Sequence, residues 1–177
     1  MKQEALTFAA DRHSGQRRKD AEASPYINHP IAVATVLAGE GDVADEAILL
    51  AAVLHDTVED TKTTFAELEE RFGTDVAGLV REVTDDKSLP KAERKRLQIE
   101  NAPKASGRAK QLKIADKICN VRAFTSSPPA TWPLERRREY VSWSEAVVDG
   151  RRNVNPRLDQ AFDDIIARAW TVLHRIA

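Results

Sequence analysis

Apolar residues recur at helical spacing along nearly the whole chain, and no stretch alternates with the two-residue period of a half-buried strand. The spacing predicts a first helix over residues 3–12, followed by a polar loop from Ser14 to Asn28 that carries Gly15 and Pro25. Pro30, with Asn28 or His29 as cap, opens a second helix that runs to Leu37. The segment AILLAAVL is apolar nearly all round, which places it at the centre of the fold, in a helix expected over Asp45–Val58. Thr64 and Glu67 have capping-box spacing, and Gly73 ends the helix they start. Further helices are expected over 74–83, 90–100, 110–124, 134–149 and 156–176, separated by TDDKSLP, by a Pro/Ser/Gly break at 103–107 and by SSPPATWP. The pattern is all-α: a bundle of eight or nine helices in one domain, 1–177, without repeats or low-complexity segments.

Composition narrows the class. With 177 residues, 42% hydrophobic and 31% charged, the chain has material for a real core and is not a disordered segment. A net charge of −1 argues against general nucleic-acid binding, which calls for a basic excess. Basic residues are nonetheless clustered, Arg12, Arg17, Arg18 and Lys19 early and Arg136, Arg137 and Arg138 late; such clusters are either solvated faces or seats for a small polyanion. The single cysteine, Cys119, excludes an intrachain disulfide and a cysteine-based zinc cluster, and its apolar neighbours suggest a packed thiol. No apolar run reaches the roughly 18–20 residues a membrane span needs, and the N-terminus lacks a signal peptide. The expected compartment is a reducing cytoplasm, with no membrane or nucleic-acid partner.

The candidate chemistry concentrates in VLHDTVEDT, where His55, Asp56, Glu59 and Asp60 follow the apolar helix. Helical spacing would put Glu59 one turn below His55 and Asp60 one turn below Asp56. Charged groups at a buried helix end are costly unless they are paired or bind a metal. His29 in YINHP and Asp116 in KIADKICN supply the types that would complete a two-histidine, two-aspartate metal site. Imidazole and carboxylate without thiolate suit Mn²⁺, Fe²⁺, Zn²⁺ or Mg²⁺, with the mixed set leaning toward Mn²⁺ or Fe²⁺. The plainer alternative for an isolated His-Asp dipeptide is a hydrogen-bonded pair at a helix end, with Glu59 and Asp60 as surface acids.

The residues around that set suit a phosphorylated substrate. Arg and Lys in the loop upstream of His29 can hold phosphate oxygens, and Asn120 falls one turn after Asp116 on the same helix face. Lys113 and Lys117 flank Asp116 but could equally be solvated. Tyr26, Trp132, Tyr140 and Trp143 can stack on a base, although aromatics at helical spacing more often belong to a core. His174 reads as a packing or surface histidine.

The ordered set RRKD, PYINHPI, AAVLHDTVEDT, RFGTDVAGLVREVTDDK, LPKAERKR and LKIADKICNVR resembles the hydrolase domain of RelA/SpoT proteins from about Ala5 to Tyr140 or beyond. Without a synthetase or regulatory region, the chain looks like the stand-alone small alarmone hydrolases of the metazoan SpoT homologue type. The resemblance implies an HD-domain helical fold and a Mn²⁺-dependent hydrolase that removes pyrophosphate from the 3′ position of ppGpp and pppGpp. It also implies His29, His55, Asp56 and Asp116 as metal ligands and Glu59 and Asp60 as the groups that activate or position water. Arg18 and Lys19 would hold the pyrophosphate, Asn120 the sugar or a phosphate, and Tyr26, Arg136 and Tyr140 the nucleotide. Removal of the 2′-phosphate of NADPH on the same scaffold is an alternative, and a non-catalytic nucleotide-binding module is a more distant one.

Overall fold

The computed structural model describes residues 1–20, 22–126 and 132–175. Its elements are α1 (Lys2–Arg12), α2 (Asn28–Gly39), α3 (Glu46–Leu54), the one-turn α4 (Thr57–Asp60), α5 (Phe65–Phe72), α6 (Thr74–Val83), α7 (Lys91–Glu100), a 3-10 turn at Ala102–Lys104, α8 (Gly107–Ser126), α9 (Leu134–Asp149) and α10 (Pro156–Arg175). Nine of these are α-helices of eight residues or more, which agrees with the all-helical expectation. Most of SSPPATWP and the last residue of the predicted helix over 156–176 lie outside the described residues.

Two helices form the centre. In α3, Ile48 and every residue from Leu50 to Leu54 are buried, and solvent reaches only Glu46, Ala47 and Leu49, as the nearly uniform apolar sequence requires. In α8 all residues from Leu112 to Cys119 are buried, including Lys113, Asp116 and Lys117. Helices α2, α3, α6, α9 and α10 all pack on α8. The outer helices α5, α6 and α10 are amphipathic; α10 turns Leu158, Phe162, Ile165, Ile166, Ala169 and Leu173 inward at helical spacing.

The helix expected over Asp45–Val58 is broken. It ends at Leu54; His55 and Asp56 form a junction, and Thr57–Asp60 adds a separate turn. Two side chains bond to carbonyls of the last turn at the break. Thr57 Oγ1 donates to Leu54 O at 2.7 Å, and His55 Nδ1 donates to Ala52 O at 2.8 Å. The capping box is also half-formed: Thr64 accepts from the Glu67 N–H at 3.2 Å, but the Glu67 carboxylate pairs with Arg12 instead of reaching back. Gly73, at φ +88°, ends α5 in a region that side-chain-bearing residues avoid.

The loop between α1 and α2 is drawn back on itself. Arg17 and Pro25 form an isolated antiparallel bridge, with Arg18 N–H donating to Ser24 O at 2.8 Å and Tyr26 N–H to Gln16 O at 3.1 Å. That pairing aims Tyr26 at the α3–α4 junction.

Asp45 starts α3 by accepting from the Ala47 and Ile48 N–H groups at 2.9 and 3.3 Å. Asp45→Ala should lower unfolding free energy by about 1 kcal/mol, read as a lower urea midpoint at unchanged slope. An unshifted midpoint would show that α3 needs no cap.

Candidate metal centre

Three separate parts of the chain deliver donors to one point. The first turn of α2 brings His29, the α3–α4 junction brings His55 and Asp56, and the middle of α8 brings Asp116. His29 Nε2 stands 3.1 Å from Asp116 Oδ1 and 3.7 Å from Asp56 Oδ2. His55 Nε2 stands 3.2 Å from Asp56 Oδ2 and 3.9 Å from Asp116 Oδ1. His29, His55 and Asp116 are all buried, with one donor atom of each within 4.8 Å of the others.

This arrangement fits a divalent metal ion. Atoms about 2.0–2.2 Å from a common ion lie roughly 3–4 Å from one another, as these donors do. The tautomer fits as well. Ala52 O can only accept, so His55 Nδ1 carries the hydrogen and Nε2 keeps its lone pair for the site. His55 Nε2 is also fully buried with no hydrogen-bond partner, which in a packed interior calls for a ligand.

The charges around the donors are balanced from outside. Burial disfavours the charged form of Asp56, yet the two imidazoles hold its carboxyl well below the ordinary range. Burial likewise opposes ionisation of Asp116, and Lys113, His29 and Lys117 outweigh it. Lys113 Nζ and Lys117 Nζ lie 3.7 and 3.9 Å from Asp116 Oδ2, both ammonium groups in the interior and not on a solvated face. Lys113 also donates to Val83 O at 3.2 Å, and Lys117 sits 4.0 Å over the Trp143 ring. Burial lowers the Lys117 pKa to about 8 against the pull of Asp116. For His55, burial pushes the pKa down while Asp56 and Asp116 push it up to about 9 when no cation is bound, so a metal ion would take the place of the Nε2 proton.

Glu59 and Asp60 sit beside the donors but face different neighbours. Glu59 Oε2 accepts from the Asp85 N–H at 3.1 Å, and burial raises its carboxyl pKa. Asp60 Oδ1 accepts from Lys87 Nζ at 2.7 Å, and the same ammonium stands 3.3 Å from Glu59 Oε1. Lys87, in a segment read from sequence only as a turn, therefore ties the two acids together.

The substrate-side candidates divide into three places. Tyr26 is inside the centre: its hydroxyl donates to Asp56 Oδ2 at 2.7 Å and approaches Asp60 Oδ2 at 3.2 Å. Arg18 lies over Tyr26, 5.8 Å from its ring, with Nη2 3.4 Å from Asn120 Oδ1, while Lys19 is exposed. Asn120 donates to Asp116 Oδ1 at 2.6 Å, which joins the basic loop to the donor set. Arg136 and Tyr140 lie on α9: Arg136 stacks on Trp132 at 4.2 Å, and Tyr140 packs against Phe124, Trp132 and Trp143. Burial and the field of Asp116 both raise the Tyr140 pKa.

A family model described as HD domain matches residues 5–141. The chain is 54% identical over 160 residues to the guanosine-3′,5′-bis(diphosphate) 3′-pyrophosphohydrolase MESH1 of Xenopus tropicalis, across 90% of this chain and 89% of that one. It is 52% identical over 158 residues to MESH1 of Homo sapiens, across 89% and 88% of the two chains. Against the bifunctional (p)ppGpp synthase/hydrolase SpoT of Escherichia coli, identity is 39% over 132 residues, which span 71% of this chain and 18% of that protein. Among solved structures, a metazoan orthologue of SpoT described as hydrolysing ppGpp matches with a TM-score of 0.91 and 52% identity, over 94% of this chain and 93% of that one.

Tyr26→Phe removes a hydrogen bond from Asp56 and leaves the packing in place. The variant should bind divalent metal about 10–100-fold more weakly while staying folded, as measured by calorimetric titration of the stripped protein. Unchanged affinity would mean that Tyr26 does not orient Asp56.

Proposed function

The chain belongs to the HD-domain family, in the SpoT-type hydrolase branch, and on that footing we infer that it hydrolyses ppGpp and pppGpp to GDP or GTP and pyrophosphate. The observation that carries this reading is similarity to 3′-pyrophosphohydrolases over nine-tenths of the chain, supported by the buried cluster of His29, His55 and Asp116 with Asp56 beside it. Residues 1–177 act as one hydrolase domain on a small nucleotide. The lone cysteine, Cys119, is buried and unpaired, in keeping with work in a reducing cytoplasm.

His29, His55, Asp56 and Asp116 hold the metal in this reading, and their mixed nitrogen and oxygen set favours Mn²⁺. When bound, such an ion polarises phosphate oxygens and brings the pKa of water toward about 7. A water oxygen bonds to the inner phosphorus of the 3′-diphosphate, the bond from that phosphorus to ribose O3′ breaks, and O3′ takes up a proton. Glu59, whose carboxyl pKa burial has raised, accepts the proton of the attacking water. Asp60, fixed by Lys87 and Tyr26, orients that water. Arg18 and Lys19 neutralise the departing pyrophosphate, and Asn120 meets the sugar or a phosphate. Arg136 and Tyr140, beside the aromatic cluster of α9, border the nucleotide.

Two variants test the division of labour. Asp56→Ala should lose both the bound metal and turnover of ppGpp. Glu59→Ala should keep the metal and lose at least about 100-fold in kcat, with GDP resolved by ion-exchange chromatography. Near wild-type turnover by Glu59→Ala would sink the role of Glu59, and absence of GDP from the unaltered, metal-loaded enzyme would sink the function.

A further inference from the structure

His13 is the fourth ring beside the centre, and none of the chemistry above uses it. It caps the C-terminus of α1, is 2% exposed, and its Nδ1 lies 2.8 Å from Gln16 Oε1. Gln16 in turn donates through Nε2 to the backbone carbonyl of Asp60 at 2.6 Å. Asp60 is the last residue of the four-residue α4, so its carbonyl has no partner within that helix.

Hydrogen-bond direction follows from these contacts. A carbonyl only accepts, so the NH₂ end of the Gln16 amide must face Asp60 and its oxygen must face His13. His13 Nδ1 is then the donor, and the ring is held with Nδ1 protonated. With both bonds made the Gln16 amide is held at each end; without the His13 donor it keeps only the bond to Asp60 O and can swing about its side-chain torsions, so the end of α4 is held less firmly. His13 has a second point of purchase as well: its ring packs on Tyr26 with centroids 4.9 Å apart, and Tyr26 reaches the carboxylates of Asp56 and Asp60.

We propose that His13 is a positioning residue for Asp60, acting through the Gln16 amide to fix the end of α4. The inference rests on the role given to Asp60 above. The chain of contacts is short, part-buried and directional, and it links the end of α1 to a residue 47 positions away in sequence. Its mode of action is geometric: Asp60 stays aligned with the attacking water, while metal binding and nucleotide affinity depend on other residues.

The test is steady-state kinetics on ppGpp with saturating Mn²⁺, together with the count of bound Mn²⁺ and the melting temperature. His13→Phe keeps a ring against Tyr26 and removes the donor; Gln16→Leu removes the relay from the other side. Each should lower kcat about tenfold or more, with KM and bound Mn²⁺ unchanged. The double variant should fall no further than either single one, because both break the same chain. His13→Asn, whose amide nitrogen can take the place of Nδ1, should recover most of the loss.

Wild-type kcat in folded His13→Phe, or losses that multiply in the double variant, would overturn the proposal. Should His13→Phe not fold, Gln16→Leu decides alone by the same criterion of kcat against KM. Asp60→Asn, run in parallel, separates the two levels. If it keeps full turnover, the role of Asp60 falls and this inference with it; if it is inactive while His13→Phe and Gln16→Leu are not, only the inference falls.

Discussion

A carboxylate in the interior of a helical bundle persists only where opposite charges surround it, and Asp116 in the middle of α8 sets that condition for the whole molecule. Two lysines from its own helix approach one of its oxygens, and His29 and Asn120 approach the other. Each partner is itself tied to a further element: Lys113 to the end of α6, Lys117 to Trp143 on α9, and Asn120 to the basic loop through Arg18. Satisfying one buried charge thus fixes the relative placement of α2, α6, α8, α9 and the α1–α2 loop. The donor set suits a divalent ion, which Asp56, Asp116 and His55 would hold together with His29.

The broken helix at His55 serves the same end. At the junction His55 Nδ1 donates to Ala52 O and Thr57 Oγ1 to Leu54 O, which holds the imidazole in one orientation. The break leaves the imidazole facing the donor cluster. It also makes α4 a single turn held from outside by Gln16, Tyr26 and Lys87, all through Asp60. A turn so short has little stiffness of its own, which is why groups outside α4 matter to the acids it carries.

Helical spacing in the sequence was enough to foretell nearly every helix, because apolar residues at a 3.6-residue period report burial directly. The four candidate metal donors could be picked out by residue type, two histidines and two aspartates in or beside apolar helices, and the fold brings them together. The break after Leu54 was not legible, because Thr57 and His55 bond locally without disturbing the apolar period. Nor was the place of Tyr26, a ring read as a possible stacking platform. Its contact with Asp56 depends on how the loop folds back through the Arg17–Pro25 bridge. Lys113 and Lys117 carried a faint signal, cations inside LKIADKIC where every neighbour but Asp116 is apolar. His13 carried none, since a histidine at the polar end of an amphipathic helix looks like any other.

The most direct measurement is a titration of the metal-stripped protein with Mn²⁺ in the presence of ppGpp, following free Mn²⁺ by electron paramagnetic resonance and GDP by ion-exchange chromatography in the same samples. Turnover should rise in step with binding and level off at one Mn²⁺ per chain, and His55→Ala should show neither. Full turnover before any Mn²⁺ is bound, or a filled site that releases no GDP, would contradict the account.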